Sequence, residues 1–157
     1  MSKDFGEFKS VEELNMAAEG LKEEGDIESL KKLAKENGID EEDAIDYFDG
    51  VFPQFTNGLM AAIGKIDMER AELDLGEILD DWANYIKAEV RESNDMANGV
   101  MKHSLSGCIA ELLKYSFKNA KVINSQITKA AGVNATVKLG IPGTRTAKKI
   151  IREYYLG

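Results

Sequence analysis

Helix signals recur along this chain from one end to the other, and they constrain its fold more than any other feature. Residues that cap helix N-termini are repeatedly followed by apolar residues three or four positions apart. In the first such unit, Ser10 and Glu13 form a capping box, Leu14 and Ala18 follow at helical spacing, and Gly25 marks the stop. The sequence therefore predicts an all-α fold, a compact bundle of about eight to ten short helices. Further predicted caps are Asp26, Asp40, Asn124 and Thr144, with stops at Gly38 and Gly50.

The longest run of helical spacing lies in the middle of the chain. It predicts one helix from Glu69 to Glu92, with Trp82 in the core. Pro53 suits the first turn of the preceding helix. The apolar residues of that preceding helix are Phe55, Leu59, Met60 and Ile63. Those of the long helix are Leu75, Ile78, Leu79, Trp82, Ile86 and Val90.

The last third of the chain contains the most apolar helix and a change of pattern. That helix is our candidate for the buried centre, and its apolar residues are Leu105, Cys108, Ile109, Leu112, Leu113 and Phe117. Residues 132–143, GVNATVKLGIPG, combine three glycines, a proline and β-branched residues, which predicts a loop or small hairpin arm. The inner face of the last helix is predicted to carry Ala147, Ile150, Ile151 and Tyr154.

Composition is that of a soluble globular protein. The chain has 157 residues, of which 43% are hydrophobic, and no linker divides it, so we expect a single helical domain over residues 1–157. One cysteine excludes an internal disulfide framework and a cysteine-based zinc site. No segment approaches the ~18 apolar residues of a membrane span, and the N-terminus lacks the apolar run of a signal peptide. We therefore expect a cytoplasmic protein that does not bind membranes.

Charge divides the chain into an acidic and a basic region. Residues 1–50 hold 16 acidic and 6 basic side chains, residues 51–100 hold 10 and 4, and residues 101–157 hold 2 and 10. The acidic helical region 1–100 and the basic helical region 101–157 together give the net charge of −8. Such asymmetry indicates electrostatic partnering, either between the two regions or with another molecule. The alternative is that both are solvated faces without a binding role.

One acidic helix pair has the spacing of a DNA-binding motif. Leu33, Ala34, Gly38 and Ile39, followed by the helix from Asp40, match a helix-turn-helix. A DNA reader presents basic or amide groups, but this second helix presents carboxylates, which phosphates repel. Two interpretations remain: a plain helical hairpin, or carboxylates that imitate phosphates and occupy a basic groove of another protein. The candidate partner-binding residues are Glu23, Glu24, Asp26, Glu28, Glu41, Glu42, Asp43, Asp46 and Asp49.

The basic region offers a different candidate surface. Lys114, Lys118 and Lys121 lie at i, i+4 and i+7, hence on one helix face, and Tyr154 and Tyr155 provide rings that could stack on unpaired bases. The alternative is that this face docks on the protein's own acidic helices or on a partner. The candidate nucleic-acid-binding residues are Lys114, Lys118, Lys121, Arg145, Lys148, Lys149 and Arg152.

Patterns for catalysis and metal binding are weak. His103 and Cys108 would lie about 140° apart on a continuous helix, whereas a nucleophile and its base need hydrogen-bond contact. Cys108 is predicted to be a small core residue and His103 a helix-end residue. Asp80 and Asp81 lack the histidine or the loop that would make them metal ligands. We therefore expect a protein without catalytic activity, cofactor or metal.

Three runs of the sequence resemble a family of small proteins from conjugative and phage-like elements of gut anaerobes. These runs are LKKLAKENGIDEEDAIDYFDG (30–50), CIAELLKYSFKN (108–119) and GIPGTRTAKKIIREYYLG (140–157). Some members of this family are labelled Cas9-inhibiting anti-CRISPR proteins. The resemblance implies a cytoplasmic protein of a mobile genetic element that binds a CRISPR effector. It implies no set of functional residues.

Charge and resemblance together favour a non-enzymatic, protein-binding inhibitor of a Cas9-type effector nuclease. Such an effector holds its guide–target heteroduplex in a positively charged channel, which an acidic, DNA-mimicking surface could occupy. A second hypothesis is a nucleic-acid-binding accessory factor of the mobile element that uses the basic C-terminal helices. A third is a protein-interaction module within a conjugation or replication complex.

Overall fold

The computed structural model describes residues 3–74 and 76–157. Leu75, which the helical spacing placed in the long central helix, lies outside the described residues, as do Met1 and Ser2. The described residues form nine α-helices and one two-stranded sheet, which confirms the predicted all-α fold. The helices are α1 (Val11–Glu23), α2 (Ile27–Glu36), α3 (Glu41–Phe48), α4 (Gly58–Leu73), α5 (Glu77–Glu92), α6 (Asn94–Lys102), α7 (Leu105–Lys118), α8 (Ser125–Ala130) and α9 (Thr144–Leu156).

Side-chain caps fix where most of these helices begin. Ser10 Oγ accepts a hydrogen bond from the Glu13 amide at 3.2 Å, and Glu13 accepts one from the Lys9 amide at 2.9 Å. The predicted caps of α2, α3 and α8 are confirmed, and they are Asp26, Asp40 and Asn124. Asn57, Ser93 and Ser104 cap α4, α6 and α7 in the same way. The predicted Thr144 cap is wrong, because Thr144 is already helical and Gly143 precedes it without a side-chain bond.

The predicted helix from Glu69 to Glu92 is wrong, because the chain turns between α4 and α5. Asp74 has a left-handed φ of 48° and Gly76 a φ of 75°, and these two residues separate the helices. The turn lets α5 pack against α4. Trp82 is half-buried at the edge of the apolar core rather than inside it.

The helix predicted to start near Pro53 begins five residues later, at Gly58. Asn57 caps it, so Pro53 and Phe55 belong to the connection between α3 and α4. This connection is fixed to α1 by the side chain of Asn15. Asn15 donates to the carbonyl of Thr56 at 3.1 Å and accepts from the Thr56 amide at 3.0 Å. Phe55 can therefore be buried without being helical.

Two apolar clusters hold the helices together. Helices α1 to α3 pack around residues such as Leu30 and Leu33, and helices α4 to α7 with α9 pack around residues such as Ile86. Each fully buried Leu or Ile contributes about 1.5–3 kcal/mol to stability. Ala61 of α4 and Met101 of α6 lie in the first cluster, while their neighbours along both helices lie in the second. The α1–α3 helices are therefore joined to the rest through α4 and α6.

The turn between α2 and α3 rests directly on the backbone of α4. Gly38, with a left-handed φ of 67°, and Gly64 face each other so closely that neither position has room for a Cβ. A Cβ on Gly38 would meet the carbonyl oxygen of Gly64, and one on Gly64 would meet the carbonyl oxygen of Asn37. Two glycines therefore set how near the acidic helix pair lies to α4.

A largely buried ion pair joins α4 to the corner between α6 and α7. Lys65 Nζ donates to the carbonyls of Val100 and His103 at 2.7 Å each and lies 2.9 Å from Glu69 Oε1. Glu69 Oε2 accepts from the Leu105 amide at 2.6 Å. These are carbonyl and amide groups that helix ends leave unpaired. Polar contacts therefore fix this corner in addition to apolar packing.

The apolar faces of α4, α5 and α7 are narrower than predicted. In α7, Leu105, Cys108 and Leu112 are buried, whereas Leu113 and Phe117 are 56% and 80% exposed, so α7 is not the buried centre in full. Leu59, Met60 and Ile78 were also expected to face the core and are exposed. In α9, Ala147, Ile151 and Tyr155 are buried, while Ile150 and Tyr154 are half-buried.

A small arm lies between α7 and α9. Strand β1 (Lys121–Val122) pairs antiparallel with β2 (Lys138–Leu139), and α8 lies between them. The predicted hairpin region 132–143 contributes only β2, since the partner strand comes earlier in the chain. Gly140 lies against the carbonyl of Ser116 and leaves no room for a Cβ. Pro142 is buried, so the arm is anchored where it returns to the helices.

Candidate functional site

Helix α3 and Asp49, the residue that caps its C-terminus, carry three carboxylates on the solvent-facing side of the helix. Glu42, Asp46 and Asp49 lie at i, i+4 and i+7, on the side opposite the buried Ala44 and Tyr47. They extend over about 10 Å of the helix axis. Within the part of the chain that the structure describes, none of them lies within 4.0 Å of a basic side-chain nitrogen. We call these three residues the α3 carboxylate row.

Helix stability explains only part of the acidity of α3. Glu41, Glu42 and Asp43 lie in the first turn, where the helix dipole favours negative charge. Asp46 and Asp49 lie at the other end, where a carboxylate costs about 0.3–1 kcal/mol and where α3 has no basic residue. These two carboxylates are the ones whose position a structural role does not account for.

Three of the predicted acidic candidates are engaged in contacts within the protein. Glu28 and Glu41 both approach Lys31, at 3.5 and 3.8 Å. Asp26 caps α2, and hydrogen bonds from the hydroxyl and then the amide of Ser29 lower the pKa of its carboxyl group. The structure therefore does not gather all nine predicted carboxylates into one surface.

A second acidic surface lies between α1 and the connection that precedes α4. Glu23 lines this groove together with Glu12 and Glu19, which the sequence analysis missed although all three recur at helical spacing. Lys22 lies over the ring of Tyr47 at 4.8 Å. Burial, and then Glu19 and Glu23, raise the pKa of Tyr47. The last two candidates lie elsewhere: Glu24 is exposed at the end of α1, and Asp43 lines a hollow beside Phe52 and Met60.

Three of the seven predicted basic candidates are held by internal contacts. Lys114 pairs with Glu111 at 3.0 Å, and Arg152 pairs with Glu89 at 2.8 Å. The hydrogen bond from Arg152 is the main cause that lowers the pKa of Glu89. Lys148 lies 5.0 Å from the centre of the Tyr85 ring. Among the described residues, Arg152–Glu89 is also the one ion pair between regions 1–100 and 101–157, so the two regions do not neutralise each other through salt bridges.

The remaining basic residues belong to a segment without carboxylates. Residues 112–152 contain nine basic side chains and no acidic one. This absence of acidic residues can be read from the sequence and indicates a wider basic region than the seven predicted candidates. Of the predicted candidates, five have no carboxylate within 4.0 Å in the described chain: Lys118, Lys121, Arg145, Lys148 and Lys149. Lys129 and Lys138 in the arm are likewise unpaired there and were missed. We call residues 112–152 the basic segment.

The tyrosines predicted to stack on bases do not present a free ring. Tyr155 is buried, and Tyr154 packs at 4.9 Å from it and 5.4 Å from His103. The Tyr154 hydroxyl also donates to the carbonyl of Ser104 at 2.8 Å. The exposed aromatic of this region is Phe117, which the sequence analysis assigned to the core.

His103 and Cys108 form no catalytic pair. They do not lie on one continuous helix, because His103 follows the end of α6 and Ser104 caps α7. His103 is a helix-end residue and Cys108 is fully buried in the core, as predicted. Burial raises the pKa of the Cys108 thiol to about 12. Since only the thiolate is nucleophilic, this cysteine is inert at neutral pH.

We expect Cys108 to react with a disulfide reagent at least about a thousandfold more slowly than free cysteine at pH 7.5. The cause is the raised thiol pKa together with complete burial. Stopped-flow absorbance with an aromatic disulfide measures the rate, and the same protein in urea is the control that restores it. A native rate close to that of free cysteine would contradict the buried position.

The described residues contain no group of three His, Cys, Asp or Glu side chains placed to hold a metal ion. None of the helices in the described ranges combines the length and apolar character required to cross a membrane. No protein-family model, no curated protein and no solved structure matches this chain.

Proposed function

We propose that this chain is a non-enzymatic protein-binding inhibitor, and that its target is a Cas9-type effector nuclease in the cytoplasm of a cell that carries the mobile element. The contact surface in this proposal is the α3 carboxylate row, flanked by the acidic groove at α1. Both lie within the first hundred residues, whose 26 acidic and 10 basic side chains give a net charge of −16.

The observation that carries the proposal is the pair of unpaired carboxylates at the unfavourable end of α3. Asp46 and Asp49 weaken their own helix through its dipole and gain no internal ion pair within the described residues. A binding role accounts for the position of these two carboxylates, which helix stability does not. The resemblance of residues 30–50 to anti-CRISPR proteins covers the whole of this helix.

The physical mechanism is competition for a positively charged channel. A Cas9-type effector binds its heteroduplex there through backbone phosphates rather than through base sequence. Carboxylates spaced along a rigid helix present negative charge to the same lysines and arginines. Attraction between opposite charges speeds the encounter and weakens as salt screens it.

Titration of guide-loaded Cas9-type nucleases with this protein tests the proposal. We expect cleavage of target DNA to stop near one equivalent at ~0.15 M salt, with inhibition weakening as salt is raised. A restriction endonuclease acting on the same DNA is the control, because it reveals any effect on the DNA itself. If no nuclease of a diverse panel is inhibited, the proposal is wrong.

The second candidate function is that of an accessory factor of the mobile element that binds nucleic acid or a protein complex through the basic C-terminal helices. One observation favours it: seven basic side chains of the basic segment have no carboxylate partner in the described chain. A segment with this many unpaired positive charges attracts polyanions.

A further inference from the structure

Exposed apolar side chains accompany the unpaired lysines where α7 meets the arm. Phe117 is 80% exposed, and Leu139 and Ile141 are 56% and 59% exposed. Gly140, between the last two, faces the carbonyl of Ser116. Since side chains alternate along an extended chain, Leu139 and Ile141 point away from α7 and into solvent.

The lysines stand close to these apolar residues in the fold. Lys118 follows Phe117 at the end of α7, and Lys121 is paired directly with Leu139 across the β1–β2 ribbon. Residues directly opposite each other in an antiparallel ribbon share one face, so Lys121 and Leu139 project on the same side. We call Phe117, Lys118, Lys121, Leu139 and Ile141 the arm surface.

Phe117 is the feature of this surface that folding does not explain. A phenylalanine left mostly in water gives up nearly all of the stabilisation that burial would provide. Lys118 follows Phe117 in the chain, Lys114 lies three residues before it in α7, and the basic segment holds no carboxylate. An exposed aromatic ring among lysines is the arrangement in which a base stacks on the ring while the lysines neutralise the adjacent phosphates.

These observations favour an unpaired strand over a duplex. In a duplex the base faces are stacked on one another, so Phe117 would have no partner. A long, stiff duplex would also bring its high charge density near the acidic region 1–100, which repels it. A flexible strand can follow the arm surface and avoid the acidic helices.

We propose that the arm surface binds single-stranded nucleic acid, with Phe117 stacking on a base and Lys118 and Lys121 neutralising phosphates. This inference rests on the second candidate function and names its ligand. It is independent of the acidic surface of α1–α3, which carries the inhibitor proposal.

The test is fluorescence anisotropy of labelled RNA and DNA strands of about 20 nucleotides and of the matching duplex, with the full-length protein. We expect micromolar binding of the single strands at ~50 mM salt, weaker binding of the duplex, and a loss of affinity of at least about fivefold by ~200 mM salt. Phe117→Ala is expected to weaken single-strand binding about tenfold with the salt dependence unchanged. Lys118→Glu with Lys121→Glu is expected to weaken binding and to flatten the salt dependence.

Matched variants elsewhere on the molecule serve as controls. Leu113→Ala removes another exposed apolar side chain of α7 and should leave affinity within about twofold, because it removes no aromatic ring. Lys35→Glu with Lys102→Glu makes the same change in net charge at two exposed lysines outside the basic segment and should have a much smaller effect than the arm pair.

Four results would overturn the inference. They are no binding at low salt, duplex binding as tight as single-strand binding, full affinity in Phe117→Ala, and adsorption to anionic phosphatidylglycerol vesicles in place of oligonucleotides. The assay contains no nuclease, so its failure leaves the inhibitor proposal standing, and a failure of nuclease inhibition leaves this inference standing.

Discussion

Reversal of the α3 carboxylate row, by Glu42→Lys, Asp46→Lys and Asp49→Lys together, is expected to raise the concentration needed for half-inhibition of the nuclease at least about 100-fold. Each lysine replaces attraction to a basic groove by repulsion, and a penalty of about 1 kcal/mol per site suffices for that factor. The measurement is cleavage of target DNA at fixed nuclease and increasing inhibitor.

The effect of the change in net charge on inhibition must be separated from the effect of where the charges lie. Glu72, Asp81 and Glu92 are exposed and have no ion pair within the described chain, so their combined reversal to lysine gives the same net charge at another place. We expect this control to change inhibition by less than about threefold. The α3 variant should also keep its melting temperature, because Asp46→Lys and Asp49→Lys are favourable at the C-terminal end of the helix and offset the unfavourable Glu42→Lys in its first turn. Equal loss in both variants, or none in either, would contradict the phosphate-mimic mechanism.

Gly64→Ala is expected to lower the free energy of unfolding by about 2 kcal/mol, which is a large share of the stability of a small protein. The new Cβ would overlap the carbonyl oxygen of Asn37, a backbone atom that cannot rotate away. The turn between α2 and α3 would have to move off α4, so Gly38 would lose its close contact as well. Urea unfolding followed by circular dichroism measures the change.

A helical glycine without neighbours provides the matched control. Gly20 lies in α1, and a Cβ at this position meets nothing within 4 Å. Gly20→Ala should therefore raise stability by about 0.5–1 kcal/mol through helix propensity alone. The two substitutions thus have opposite expected signs. A stabilising Gly64→Ala would show that the helix pair is not packed on α4 in this way.

Helix starts were the part of the fold most accessible from the sequence. Ser10, Asp26, Asp40 and Asn124 cap helices as predicted, because a cap depends on residues only two or three positions away. The predicted cap at Thr144 was wrong because α9 already includes Thr144, whereas a capping residue precedes the first helical residue. The presence of a helix start is therefore predicted by local chemistry more reliably than the identity of the residue that caps it.

The break between α4 and α5 could not be read from periodicity. Apolar residues keep helical spacing on both sides of Asp74 and Gly76, so the pattern alone looks continuous. The left-handed conformation that ends α4 is set by the packing of α5 back onto it. The predicted burial of Phe117 was wrong for a related reason, since an apolar helix face does not reveal whether another helix covers it.

Charge could be counted from the sequence, but the ion pairs between helices could not be predicted from it. The sequence analysis placed Glu28 and Glu41 with the α3 carboxylates, yet both lie near Lys31. Glu28 and Lys31 are an i, i+3 pair within α2, which the spacing could have indicated. Glu41 meets Lys31 only because α2 approaches α3, and that approach is a property of the fold. That Asp46 and Asp49 have no ion pair within the described residues likewise became visible only with the helices in place.

The arm and the Lys65 corner differ in how they can open. In the arm, α8 has no buried residue and both strands are exposed, so little free energy opposes local opening. The corner is held by Lys65, Glu69 and the second apolar cluster, and it separates only when the helices around it do. We therefore expect amide protons of the arm to exchange with solvent through local fluctuations, and those of α4 and α6 to exchange only through global unfolding. The chain thus joins a cooperative body to a segment that can change shape around a ligand while the body keeps its structure.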